Sequence, residues 1–350
     1  MNAWHGYGFS IVEILVGLTL GAIFSTAVLG VYIAQKSTFK TNESQANIQN
    51  TESAITALLS PAIRSAGFCG CTTISKATSN LNAGGPPPIS TLTTLSTMVM
   101  GYESATNTIA ENNPANSTNA GNWSPNLDAS LVGSVAAASD VLVILGGTPG
   151  EEPIAVTSFT SGSSSFDIQS AAGVTAGQFA AISDCLKATV FNITSVAGNT
   201  ISHVGGTGAL SNISDSFSVN YPVGSQFVTL TQTAFFVSQD PSGQSALMRG
   251  TLNANGTWSI QSLASGVDSM QVRFGIGTNG IPTQYVAASA VTNWNQVYAV
   301  RIGFLIEGNP GSQTRPSTQY PILGATITVP ADNRLRDVFE MTVQLRNGAS

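Results

Sequence analysis

Between Phe9 and Ile33 every residue except Glu13 is apolar, small or hydroxylated. Few folds accept such a run. As a helix rising ~1.5 Å per residue it would be about 37 Å long, enough to cross the ~30 Å of hydrocarbon in a bilayer. A secretory signal peptide has an apolar stretch of only ~7–15 residues, a basic segment before it and a small-residue cleavage site after it. This run is longer and lacks that site, so residues 9–33 read as a membrane-spanning helix. Glu13 is then the anomaly, because inserting a carboxylate costs ~2.5–3.5 kcal/mol and such groups are usually paired. The next charged residue is Lys36, too far to help. A cut between Gly8 and Phe9 would create an α-amine one helical turn from Glu13, on the same or a neighbouring copy. The alternative is a carboxylate tolerated near the membrane interface.

Beyond the membrane run, Ile48, Ile55, Leu58, Leu59, Ala62 and Ile63 recur at helical intervals. This predicts that the helix continues with one buried stripe. Asn42, Glu43, Gln45 and Asn47 suit a solvated part or one shared with neighbouring subunits, and Gly30 and Pro61 are the expected weak points of the rod. After Gly67 the pattern turns to β. Val141–Leu145 reads as a buried strand ending at Gly146-Gly147; Phe227–Val237 and Val297–Ile306 read as strands. Asp240-Pro-Ser-Gly243 is a turn that allows a hairpin. Phe339, Met341, Val343 and Leu345 place apolar groups on one face of a last strand. Gly84–Pro88 and Ser104–Ser130 are expected to be long surface loops. The class is therefore α+β: one long helix over residues 9–66, then a β-rich head over 67–350.

Composition narrows the function. Only 9% of residues are charged, against about a quarter in an ordinary soluble domain. The formal charge is -6, and the 12 Lys and Arg form no basic run, so direct nucleic-acid binding is not expected. Three cysteines, with no C-x-x-C and no nearby histidine, point away from zinc and towards a disulfide between Cys185 and either Cys69 or Cys71, in an oxidising compartment. Gly275-Ile-Gly-Thr-Asn-Gly280 has dinucleotide-loop spacing, but Pro282 and Tyr285-Val286 follow where a helix should begin, so it reads as a turn between strands. His203 would be the single histidine once the first eight residues were removed, and it reads as a loop residue. Glu151-Glu152 precede Pro153 and should face solvent. No enzyme, cofactor or metal site is expected.

Gly8-Phe9-Ser10-Ile11-Val12-Glu13 followed by an apolar helix resembles the class III signal of type IV prepilins and type II secretion pseudopilins. The resemblance implies a leader over residues 1–8, cleavage by a prepilin peptidase between Gly8 and Phe9, N-methylation of Phe9, and a role for Glu13 in assembly. The leader departs from the family in having no Lys or Arg. Further segments resemble PilW-type minor pilins: Ile63–Cys71, Ser139–Leu142, Ser183–Phe191, Arg336–Phe339 and Val343–Asn347. That similarity implies a Cys71–Cys185 disulfide, with Cys69 the extra thiol. It also implies a minor pilin that primes assembly of a type IV pilus and sits at its tip, supporting twitching motility, adhesion and DNA uptake indirectly. The chain would lie in the bacterial inner membrane with its head in the periplasm, and later at the pilus tip. Its partners would be other minor pilins, the major pilin, the assembly platform and a large tip-associated adhesin. Two alternatives stand beside this: a tip module whose Tyr102 and Trp123 contact a host glycan, and a type II secretion pseudopilin.

Overall fold

The computed structural model describes residues 10–83, 89–95, 97–109, 116–313 and 318–346. The leader, Phe9 and the Gly84–Pro88 loop lie outside them.

Helix α1 spans Ile11–Arg64 without a break. Gly30 does not interrupt it, and Pro61 sits in its final turn, where a missing N–H costs a single hydrogen bond. In the apolar run the hydroxyls of Thr19 and Thr26 donate back to the carbonyls of Leu15 (3.0 Å) and Ala22 (3.1 Å). Polar residues thereby enter an apolar stretch with their hydrogen bonds already made. From Ile11 to Ile33 this helix is bare: Ile11 is 78% and Leu20 62% exposed. The mean hydropathy there reaches 2.2, long and apolar enough to cross a membrane.

The second half of α1 is different. Ser44, Ile48, Ile55, Leu59, Ala62 and Ile63 are buried. Leu58, expected in this stripe, is 41% exposed, because it lies one position off the face that meets the head. The stripe packs on the strands Trp258–Ser265, Val297–Glu307 and Arg336–Gln344. Its residues join one hydrophobic core with Leu142, Ile144, Phe235, Val272 and Phe304.

The head is built on two sheets. The larger has 13 strands centred on Gln226–Gln239, which pairs antiparallel with Val141–Gly147, Phe179–Ser183 and Ser245–Leu252. The smaller has four strands in the order Ile281–Val286, Val267–Thr278, Val297–Glu307, Arg336–Gln344, all antiparallel neighbours. Asp240–Gln244 closes the hairpin between two strands of the larger sheet, with Gly243 at φ 82°. In the glycine-rich segment only Asn279 and Gly280 form the turn; Gly275 and Gly277 belong to the preceding strand.

The strand Val141–Gly147 does end at Gly146-Gly147, and both glycines belong to it. A Cβ on Gly146 would stand 2.3 Å from the carbonyl oxygen of Ser65, so the glycine is what lets the end of α1 lie against the sheet. Several sequence expectations are corrected here. The Ser104–Ser130 segment is not a plain surface loop: among its described residues Ile109, Trp123 and Leu127 are buried. Tyr102 and Trp123 are 1% and 2% exposed, and the Trp123 indole donates to the carbonyl of Ser139 at 2.9 Å. Neither ring can stack on a sugar. His203 also leaves the surface; its backbone follows the strand Thr200–Ser202, and its ring is buried, stacked on Phe217 at 4.0 Å. Glu151 and Glu152 are exposed.

Candidate assembly site

Gly8 and Phe9 lie outside the described residues. Glu13 stands in the first turn of α1, where a carboxylate is favoured by the positive end of the helix dipole. Its N–H donates to the carbonyl of Ser10 at 3.0 Å, and Ser10 makes no side-chain cap. The carboxylate is exposed, with no cation within ion-pair reach among the described residues.

What holds this helix to the head is a seat made by the connection from Glu307 to Arg336. The Thr41 hydroxyl donates to the carbonyl of Ser312 (2.7 Å), and the Ser44 hydroxyl accepts from the N–H of Asn309 (3.0 Å). Gly308 makes the close approach possible, since a Cβ there would stand 2.7 Å from that of Ser44. The connection is closed on itself by the Gly308 N–H donating to the Leu335 carbonyl at 2.7 Å.

A buried ion cluster fixes its ends. Arg336 donates through Nε to Asp268 (2.7 Å) and through both terminal nitrogens to Asp332 (2.7 Å each). Its Nη2 lies 3.5 Å from Glu307, which Arg334 approaches at 3.1 Å. Burial, reinforced by the Asp268 charge, pushes the Glu307 carboxyl up to about 7, against the pull of the two arginines. Burial also raises Asp268, opposed by Arg336. The bidentate arginine gives the cluster direction as well as charge. Sequence reasoning placed Arg336 in a family-like segment but did not foresee its burial; a lone arginine at the start of an alternating strand was the available signal.

Two further anchors join the helix to the large sheet. At the end of α1 the N–H of Gly67 donates to the Leu145 carbonyl at 2.8 Å. Four residues on, Cys71 is bonded to Cys185 across a separation of 114 residues, with Cα atoms 4.6 Å apart, and Cys69 is free and buried. Cys185 takes φ 70° in a tight loop that Asp184 organises by accepting from the N–H groups of Leu186 (3.1 Å) and Lys187 (3.0 Å). Asp184 also pairs with the Lys187 ammonium. Asp140 is wholly buried, accepting from the N–H groups of Ser104 and Val272 at 2.8 Å each. Burial raises its carboxyl to about 7, while those two N–H groups and Arg273 act in the opposite direction. It ties both sheets together, because Val272 belongs to the smaller one.

Residues 234–347 match the family described as Type IV Pilus-assembly protein W, PilW. The match contains Arg336–Phe339, Val343–Asn347 and the ion cluster, and stops short of Ile63–Cys71, Ser139–Leu142 and Ser183–Phe191. Among solved structures, a type IV-like pilin from Thermus thermophilus is similar at 18% identity, covering 50% of this chain and 87% of that one. Its TM-score is 0.24, too low to carry an argument. No curated protein matches the chain. The head's own seat for the apolar helix lies inside the region that is similar to the PilW pilus-assembly family.

Proposed function

We propose that the protein is a minor pilin that primes assembly of a type IV pilus and remains at its tip. Newly inserted chains would sit in the inner membrane with the head periplasmic. A prepilin peptidase would cut between Gly8 and Phe9 and the new terminus would be N-methylated. Other minor pilins, the major pilin, the assembly platform and a large tip-associated adhesin are the proposed partners. Twitching motility, adhesion and DNA uptake would depend on the protein through the pilus.

The observation that carries this reading is the bare first half of α1, with an unpaired Glu13 near its end, fixed to a head that carries a PilW region. An apolar helix with no cover inside its own chain needs lipid or the helices of other subunits. The exchange of one for the other is what assembly requires. Glu13 would then pair with the terminal amine of a neighbour.

The test is Glu13→Ala. The variant should be processed, with intact mass showing a chain that begins at methylated Phe9, and should accumulate normally in the inner membrane. Its incorporation into pili should fall sharply. Normal incorporation would make Glu13 a tolerated interfacial charge and sink the pairing idea; degradation of the variant would assign Glu13 to insertion or stability instead.

A further inference from the structure

A cleft of about 700 Å³ opens where α1 ends, lined by Thr56, Ala57, Pro61, Arg64, Phe68 and Arg346, with Ser60 and Ser65 beside them. Three separate parts of the chain meet there: the last two turns of the helix, the segment just after it, and the residues that follow the strand Arg336–Gln344. Arg64 and Arg346 have no hydrogen-bond or ion-pair partner among the described residues. Elsewhere in the head Arg273, Arg301, Arg334, Arg336 and Lys187 each reach a carboxylate, Arg249 bonds Gln261, and Lys76 stands apart from this cleft. In a chain with 18 acidic and 12 basic residues, two unpaired guanidiniums in one recess reverse the local sign. The helix dipole accounts for an arginine in the last turn of α1, but not for a second one brought there from the far end of the chain.

We propose that this cleft receives an acidic peptide segment of a neighbouring pilus subunit, an inference that rests on the pilus reading above. A guanidinium presents a planar fork of donors that fits a carboxylate with two parallel hydrogen bonds. In the same lining, Ala57, Pro61 and Phe68 supply apolar surface against which the rest of a peptide can lie. The strand Arg336–Gln344, which leads into Arg346, pairs with Val297–Glu307 and is the edge of its four-stranded sheet. A lipid headgroup is a poor fit, because Arg64 stands 31 residues past Ile33, about 46 Å along the helix from the apolar run. The cleft therefore faces other heads in an assembly rather than a membrane.

The experiment places the photo-crosslinking residue p-benzoylphenylalanine at position 57 of the full chain, expressed in cells with its pilus system, and scores crosslinks in the membrane fraction. The expected product joins position 57 to another pilus subunit through a peptide that contains Asp or Glu. Arg64→Glu with Arg346→Glu should reduce the yield on the order of tenfold, as expected when charge-assisted bonds at an interface are reversed. The paired Gln substitutions should reduce it less, and exchanging the partner's carboxylate for Arg should restore it in the Glu background. An unchanged yield after charge reversal, a crosslinked peptide with no acidic residue, a link to the same chain's own C-terminal residues, or no subunit crosslink at all would each overturn the proposal. Pilus incorporation of the unmodified chain is scored in parallel. Its failure would instead overturn the pilus reading, whatever the crosslinks show.

Discussion

The two halves of α1 are one continuous helix with two kinds of surface. From Ile11 to Ile33 the side chains are mostly apolar on all faces and none is buried; from Ser44 to Ile63 a single stripe is buried and most of the rest is polar or small. Helical geometry is the same in both, so what differs is where the stabilising free energy comes from. The second half gains it from its own head, through a stripe that shares one core with the sheets. The first half can gain it only from lipid or from other chains. One backbone thus carries a folding surface and a bare apolar surface in series, and a mutation should act on the head's stability or not according to its position.

The largest expected effect on the folding half comes from its covalent anchor. Replacing Cys71 and Cys185 together by Ser releases a loop of more than 100 residues, for which the chain-entropy model gives ~4–5 kcal/mol. Denaturant unfolding of the full chain in detergent would measure the loss in the head. Next, Arg336→Ala leaves Asp268 buried without its cation and loosens the seat of α1, which should cost ~3–5 kcal/mol. Proteolysis within Glu307–Arg336 should rise in parallel; if it does not, the cluster does not hold the seat.

A matched pair sharpens the comparison. Leu59→Ala empties a fully buried site and should cost ~2–5 kcal/mol of head stability. Leu20→Ala, on the bare half, should leave the unfolding midpoint of the head unchanged and act, if at all, on pilus incorporation. Equal losses from both would erase the distinction between the halves.

The smallest effect concerns pH. Burial holds the His203 imidazole down to about 4 from 6.5, and both ring nitrogens are buried without a hydrogen-bond partner. The neutral ring is the folded form, so its contribution is complete above pH 6.5 and is lost as pH falls towards 4. His203→Phe, which can keep the stack on Phe217, should remove that component. The difference in Tm between the variant and the unmodified protein should therefore widen between pH 6.5 and 4; a constant difference would mean that His203 does not titrate with unfolding.

Read along the chain, the helix was legible because its signal is local. A run of apolar residues long enough for a bilayer, a single carboxylate within it, and a later stripe at helical spacing need no knowledge of the head. The strands Val141–Gly147, Gln226–Gln239 and Val297–Glu307 were visible for the same reason, as continuous or alternating apolar runs between turn residues. Tertiary structure decided what depends on distant residues meeting. Tyr102 and Trp123 lie near a polar stretch that reads as exposed, yet packing against the larger sheet buries them. His203 looks like a loop residue beside two glycines until the rings of Phe166, Phe191 and Phe217 gather around it. Arg336 looks like a strand-leading surface charge until Asp268, Glu307 and Asp332 converge on it from up to 68 residues away. Burial of a polar group is a property of what surrounds it in space, and pattern along the chain reports only what surrounds it in sequence.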